Sequence, residues 1–426
     1  MQFIDGGVCA PQGFRAAGVY AGVKAAAGMT AAEAAKFSEE IRSGKRPAES
    51  KSDAALIAAD GPCAAAGVFT SNLVKGAPIA VCQTNLQNGR AQAIFANSGN
   101  ANTCNVDGQD KAWKMAQAAA DALGIAADDV LVASTGVIGV PLPIGPLVAA
   151  APALASKLSS HGSLDAATAI MTTDRVPKNL AVEFTVGGRT AHIGGISKGS
   201  GMIHPNMCTM LCFLTTDVAI APSMLDRALR LAVRDSFNML SVDEDMSTND
   251  TCVILANGRA GNAEITAAGP EFDAFTEALS ALCIQLARAM AKDGEGATKL
   301  LVCAVAGGKT DKDARTVAKA VICSSLVKTA IFGADANWGR VLCAIGYCGA
   351  QVDVHQVDVD FVSKGGRLAV CRNGAGIPFD EALGKQVLQE DEITVEVTLH
   401  DGSAAATAFG CDLTYDYVKI NGDYRT

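Results

Sequence analysis

The chain has no run of eighteen or more apolar residues, which excludes a membrane-spanning helix of ordinary length. Its first residues, MQFIDGGVCAPQGFRAAGV, lack a basic start followed by an apolar core, so no secretion signal is expected. Lysine and arginine form no cluster and the net charge is −9, so nothing stands ready to neutralise phosphates and nucleic acid is not the expected partner. Histidine is scarce, with five in 426 residues. None stands at ligand spacing from another histidine or a cysteine, and no metal is expected. Cysteine is plentiful at fourteen, yet no C-x-x-C pair occurs; the nearest approaches are Cys208/Cys212 and Cys343/Cys348. Thiols scattered singly along a long chain read as reduced core residues of a cytosolic protein, not as a disulfide framework or a zinc site.

What is present is an ordinary folding composition, 49% apolar and 19% charged, which excludes disorder. The length suggests two or three domains. MTAAEAAKFSEEIRSGK (29–45) reads as a helix with a threonine cap and a glycine stop, followed by the charged surface connection KRPAESKSD. Further helices are expected at 108–124, 223–240 and 272–294. LIAAD, GVFTSNLV, QAIFANSGN and DVLVAS suit short buried strands, and QVDVHQVDVDFV and ITVEVTL alternate as half-buried strands do. The expected class is therefore α/β or α+β, with sheets layered between helices. A domain division is expected near 290–300, with a smaller α/β domain after it.

Several segments could carry chemistry. GGKT (307–310) resembles the end of a P-loop, but Cys303 stands where that motif needs glycine, so GGKTDKD is read as a loop. ASTGVIGVPLPIG (133–145) puts Ser134, Thr135 and Gly136 at a strand end, either as a plain turn or as an oxyanion hole. NSGNAN (97–102) and GADANWGR (333–340) are similar loops, and left-handed turns alone would explain them. In DGEGATK (293–299), Glu295 between two glycines is either a solvated carboxylate or the partner of a cationic amine. YDYVKINGDYRT holds three of the five tyrosines, which suggests a chain end that is tied down.

KGSGMIHPNMCTML (198–211) is the most irregular stretch. Its glycines and proline rule out a continuous helix, and an apolar strand-like run follows Thr209. A hydroxyl at the start of a buried strand, behind a tight turn, is the arrangement of N-terminal nucleophile enzymes. There the hydroxyl attacks the preceding peptide bond, and the freed α-amino group becomes the base. A plain loop-to-strand junction is the alternative.

This segment closely resembles the cleavage motif of the ornithine acetyltransferase family, the glutamate N-acetyltransferases of arginine biosynthesis. GGVCAPQGFRAAGV, GVFTSNLVKGAP, NSGNANTC, STGVIG, MTTD, STNDT, DGEGATK, LVKTAIFGADANWGR and DYVKINGDYRT resemble further signatures of that family, in order and over nearly the whole chain. The resemblance implies self-cleavage between Cys208 and Thr209 into chains 1–208 and 209–426, with Thr209 as nucleophile. It implies Thr135 and Gly136 as the oxyanion hole, and Thr172, Lys198, Thr209, Glu295, Asn421 and Thr426 as substrate-binding residues. It implies ping-pong transfer of acetyl from N-acetylornithine to glutamate, with acetyl-CoA as a second donor in some members. It also implies a layered fold shared with self-cleaving aminopeptidases, and a heterotetramer of two chains of each kind. No cofactor beyond these substrates is expected.

The sequence departs from the family pattern in places. Cys208 replaces the usual alanine, Glu244 and Met246 stand where glycine and threonine are common, and the charged segment at 29–53 is longer. Two rivals are a self-cleaving amidase or aminopeptidase that passes the acyl group to water, and an uncleaved binding protein that keeps only the pocket.

Overall fold

In the computed structural model, which describes residues 1–43, 45, 51–204 and 210–422, the chain folds as mixed α/β layers of sheet and helix. The larger sheet has nine strands. Its order is Gln2–Ile4, Lys178–Val186, Arg189–Lys198, Leu211–Thr216, Thr251–Ala256, Ala54–Phe69, Arg90–Asn97 and Val130–Ser134, with Phe14–Val19 paired to Ala54–Phe69 off that path. At its centre, Leu211–Thr216 and Thr251–Ala256 run parallel, in register from Leu211↔Thr251 to Thr216↔Ala256.

Successive side chains of a strand point to opposite faces. Cys252, Ile254 and Ala256 therefore join one apolar core, and Val253 and Leu255 the other. Leu211 and Phe213 split from Cys212 and Leu214 in the same way. Both faces are covered, which is why these runs are apolar throughout instead of alternating. Burying a side chain such as Phe213 completely is worth about 2–3 kcal/mol. The helices Gly108–Leu123 and Ile144–Lys157 pack on one face, and Pro222–Asp235 and Pro270–Lys292 on the other. A second sheet of six strands follows, ordered Ala375–Gly376, Gly366–Arg372, Asp358–Ser363, Glu392–Thr398, Leu300–Gly308 and Ala404–Cys411, with an apolar core of its own.

Several expectations need correction. LIAAD and GVFTSNLV are parts of one strand, Ala54–Phe69, whose register shifts between Ala58 and Cys63. Its first half pairs with Phe14–Val19 and its second with Thr251–Ala256, so Gly61 and Pro62 mark a change of partner instead of a strand end. Beyond Phe69 the strand stops where the Asn72 side chain accepts the Val74 N–H in a local turn. GGKTDKD is only half a loop, because Thr310 caps the helix Asp311–Cys323 by accepting the Asp313 N–H. Asn337 likewise caps the helix Trp338–Tyr347 inside GADANWGR. The helix expected over 223–240 ends at Asp235, and a short 3-10 turn, Phe237–Met239, follows. Of QVDVHQVDVDFV only Asp358–Ser363 is strand, since Asp353 accepts the His355 N–H and holds a 3-10 turn before it. The first long helix runs Ala31–Arg42 with a Thr30/Glu33 capping box; Gly44, its expected stop, lies outside the described residues.

Glu244 has φ 68, a left-handed backbone that costs a side chain about 1 kcal/mol relative to glycine. The side chain is exposed and has no structural reason to be there. Glu244→Gly is expected to raise Tm by about 1–2 °C, allowing for the size of the chain. An unchanged or lower Tm by differential scanning fluorimetry would show that the turn carries no strain.

Candidate active site

One cavity, of about 100 Å³, gathers residues from segments far apart in the sequence. Thr135 and Gly136 form one wall, Thr172 and Thr173 a second, Lys198 and Gly201 a third, and Glu295 with Asn421 the fourth. Ser247, Thr248 and Asn249 close the base. Of the residues expected from sequence, Thr135, Gly136, Thr172, Lys198, Glu295 and Asn421 thus share one cavity. Cys208, Thr209 and Thr426 lie outside the described residues.

The oxyanion side is built by close backbone approach. Gly136 has φ 132, and a Cβ there would lie 2.4 Å from the Gly99 carbonyl carbon and 2.5 Å from the Asn100 nitrogen, so only glycine fits. Thr135 donates its own N–H to the Asn97 carbonyl at 3.0 Å, and its hydroxyl has no partner among the described residues. Asn249 joins this wall to the strand Thr251–Ala256. Its Nδ2 donates to the carbonyls of Ala101 (2.6 Å) and Ser134 (2.9 Å), and its Oδ1 accepts from Thr103 Oγ1 (2.7 Å). Asn249→Ala would take a side-chain donor from each of two buried carbonyls, leaving Ala101 the longer bond from Thr103 Oγ1 at 3.3 Å. It is expected to cost about 2–3 kcal/mol of stability and to slow turnover more than it raises KM. A thermal and kinetic profile equal to the parent's would remove Asn249 from this role.

Lys198 ends the strand Arg189–Lys198 and is 2% exposed, and its ammonium has no hydrogen bond or salt bridge to any described residue. Burial pushes its pKa down; Asp174, Glu295 and Asp250 pull it up, against the like charge of Lys178. Behind it lies a buried ion network. Lys178 Nζ meets Asp174 Oδ1 at 2.6 Å and Asp293 Oδ2 at 2.5 Å, all three side chains being nearly inaccessible. Asp174 also accepts the N–H groups of Gly199 (2.8 Å) and Thr172 (3.1 Å), while Asp293 accepts that of Arg175 (3.0 Å). The network therefore ties three segments of the cavity wall together. Burial alone would raise the pKa of Asp174, but Lys198 and Lys178 outweigh it and hold the carboxyl at about 2.

Glu295 is 9% exposed and accepts a hydrogen bond from Asn421 Nδ2 at 2.8 Å. Its backbone N–H donates to Ser200 (2.8 Å), and a Cβ on Gly201 would lie 2.3 Å from its carboxyl. Asn421 lies on the helix Tyr415–Gly422. This helix is tied down as the tyrosine-rich composition suggests. Tyr417 donates to Asp243 at 3.3 Å, Thr414 donates to the Gly296 carbonyl at 2.7 Å, and the Tyr415 ring meets the Phe332 ring edge-on. Gly296 (φ 69) passes so close beneath that a Cβ would lie 2.5 Å from the Tyr417 nitrogen.

Sequence reasoning missed Asp174, Lys178, Asp293, Asn249 and Asp250 as parts of the site. Asp174 and Asp293 sit inside quoted motifs, but no spacing rule reports that both meet Lys178, which is 115 residues from Asp293. Asp250 is fully buried. Its Oδ1 accepts the Met210 N–H at 3.0 Å, and its Oδ2 has no partner among the described residues. Burial raises its pKa well above the carboxylate range. No group of three His, Cys, Asp or Glu among the described residues is placed to hold a metal ion, and no described helix is long and apolar enough to cross a membrane. A larger open groove of about 1250 Å³, lined by Lys75, Gln83, Arg227 and Arg230 among others, contains none of the residues expected from sequence.

A family model described as the ArgJ family matches residues 35–426. The chain is 50% identical over 427 aligned residues to the arginine biosynthesis bifunctional protein ArgJ of Symbiobacterium thermophilum, with 100% of each covered. It is 48% identical, again with 100% of each covered, to the protein of that name from Caldanaerobacter subterraneus. Among solved structures it is similar to the arginine biosynthesis bifunctional protein argJ of Bacillus halodurans, at 42% identity and TM-score 0.47, over 50% of this chain and 98% of that one. It is also similar to the ornithine acetyltransferase of Mycobacterium tuberculosis complexed with ornithine, at 36% identity and TM-score 0.39, over 49% and 99%. With a matching model over most of its length and identity near one half from end to end, the chain belongs to the ArgJ family.

Proposed function

We propose that this chain cleaves itself between Cys208 and Thr209 and then moves an acetyl group from N-acetylornithine to glutamate through an acetyl ester on Thr209. Membership of the family makes it an acetyltransferase of arginine biosynthesis; the ester, the cleavage and the residue roles are our reading. The observation that carries it is Lys198, a buried ammonium with no hydrogen-bond or salt-bridge partner among the described residues, which lines the same small cavity as Thr135, whose hydroxyl likewise has none among them. An unpaired buried cation is costly, and an amino-acid carboxylate is a natural counter-charge.

In this reading the freed α-amino group of Thr209, with an ordinary pKa of about 7.7–8.0, takes the proton of its own hydroxyl. The oxygen attacks the acetyl carbonyl, and the Thr135 hydroxyl with the Gly136 N–H stabilises the charge that develops on the carbonyl oxygen. The C–N bond breaks and ornithine leaves with the proton; the amine of glutamate then reverses the sequence. Lys198 holds the substrate carboxylate, Glu295 holds the side-chain ammonium of ornithine, and Thr172, Asn421 and Thr426 complete the pocket. This chemistry calls for no cofactor, and acetyl-CoA serves as a second donor. The two chains, 1–208 and 209–426, assemble as a heterotetramer in the cytoplasm.

Intact mass under denaturing conditions, followed by an assay of acetylglutamate formation, tests the proposal. Two species meeting at Cys208/Thr209, with acetylglutamate produced, are expected. A single full-length species would point to the uncleaved binding protein. Cleavage with acetate released in place of acetylglutamate would point to the amidase.

A further inference from the structure

Gly201 and Met202 line the cavity and belong to the first chain, a few residues before the cut. Once the peptide bond after Cys208 breaks, their segment is a chain end, held only by what it touches. Met202 also has φ 56, a left-handed backbone. A residue with a Cβ takes that conformation only where its surroundings impose it.

Asp243, in the second chain, imposes it. Its Oδ2 accepts the Met202 N–H at 2.6 Å, and its Oδ1 accepts the Ile203 N–H at 2.7 Å. Two successive N–H groups thus converge on one carboxylate, the concave arrangement with which backbone binds an anion. The Val242 N–H donates back to the Ile203 carbonyl at 2.8 Å, and Lys328 Nζ donates to the Val242 carbonyl at 2.7 Å. The Asp243 carboxylate has two more donors, the Asp245 N–H and the Tyr417 hydroxyl, each at 3.3 Å. Four donors fill the acceptor capacity of an ionised carboxylate. Burial pushes its pKa up to about 6, against the pull of the three N–H groups, so the charge is present at neutral pH.

Tyr417 carries the link onward. Asn421 lies four residues later on the same helix, so the two side chains share a face. Asn421 Nδ2 donates to the Tyr417 carbonyl at 3.1 Å and to Glu295 Oε2 at 2.8 Å. One carboxylate therefore touches both the Met202 wall and the helix that presents Asn421 to Glu295. Asp243 itself does not line the cavity.

We propose that Asp243 is a positioning residue: it keeps the cut end of the first chain docked as a wall of the site, and it sets the Glu295–Asn421 pair that reads the charged end of the donor. This rests on the self-cleaving acetyltransferase reading above and adds a residue that makes and breaks no covalent bond. Without its charge the Met202 backbone relaxes out of the left-handed region, and the helix Tyr415–Gly422 loses one of its anchors.

Two variants of the whole chain test the proposal. Asp243→Asn keeps the size but puts an amide N–H₂ where backbone N–H groups need an acceptor; Tyr417→Phe removes only the link to the helix. The donors are N-acetylornithine and N-acetylnorvaline, which has the same carbon chain without the terminal ammonium, with glutamate as acceptor. By intact mass, parent and variants are expected to be cut into two chains. Hydrogen exchange of the Met202 and Ile203 amides is expected to be ~10-fold or more faster in Asp243→Asn and unchanged in Tyr417→Phe. The preference in kcat/KM for N-acetylornithine over N-acetylnorvaline is expected to narrow ~10-fold in Asp243→Asn and ~5-fold in Tyr417→Phe, mostly through KM. A residue that only stabilised the fold would lower the use of both donors alike. Parallel loss of both donors, or unchanged exchange in Asp243→Asn, would overturn the proposal. Should Asp243→Asn fail to fold or to be cut, Tyr417→Phe decides alone, by whether the preference narrows. A parent that is cut and active, with both variants matching it, removes this proposal only. A parent that stays one chain and transfers no acetyl removes the acetyltransferase reading, and this proposal with it.

Discussion

Replacing Lys198 with methionine is expected to lower kcat/KM for acetyl transfer by about a thousandfold while changing Tm little. Removing one member of a buried charge pair costs about 2–5 kcal/mol, and 4 kcal/mol is about three decades in rate. In the free enzyme the Lys198 ammonium is buried and has no hydrogen bond from its side chain to any described residue. Methionine has a similar length and no desolvation cost, so the fold gives up the attraction of Asp174 and recovers the burial penalty. A residue kept for stability would show the opposite balance, with Tm falling and turnover per folded molecule intact. Steady-state kinetics and a thermal melt on the same preparation decide between them. Unchanged kcat/KM for both N-acetylornithine and glutamate would show that Lys198 does not hold the carboxylate.

The parts of this molecule legible in its sequence are those governed by short-range rules. The Thr30/Glu33 capping box, the glycine after the helix Gly108–Leu123 and the period-two pattern of Glu392–Thr398 each depend on residues within a few positions of one another. The two-sided burial of Leu211–Thr216 also shows, as an apolar run without alternation. Ala54–Phe69 was not legible as one strand, because what continues it past Gly61 and Pro62 is a new partner, Thr251–Ala256, nearly two hundred residues away. The site divides in the same way. Family likeness singles out Lys198, Glu295 and Asn421, each within a motif. Lys178, which sits between Asp174 and Asp293, looks like any lysine at the start of a strand. Its importance comes from burial and from two carboxylates that the fold alone brings together.

Asp174→Asn provides the strongest test of that network. Asparagine keeps the size of the side chain and an oxygen for one of the N–H groups of Thr172 and Gly199, but it removes the charge that Lys178 and Lys198 share. Leaving buried cations undercompensated costs about 3–5 kcal/mol, so a fall of several degrees in Tm is expected at neutral pH. The pH dependence gives the sign. The Asp174 carboxyl is held at about 2, below its ordinary 3.8. It therefore contributes stability, about 2 kcal/mol, that is fully present above pH 3.8 and is lost as pH falls through 2. The gap in Tm between parent and variant should then be constant at neutral pH and narrow in the acid range. The titratable groups that face Lys198 are Asp174, Lys178, Glu295 and Asp250, and burial raises the pKa of the last of these. Without Asp174 the Lys198 ammonium loses its main support against burial, and its pKa falls further. The alkaline decline of kcat/KM should accordingly begin at lower pH in the variant. A variant that melts with the parent at every pH, or whose alkaline limb stays in place, would mean that Lys178 and Lys198 keep their charge without Asp174.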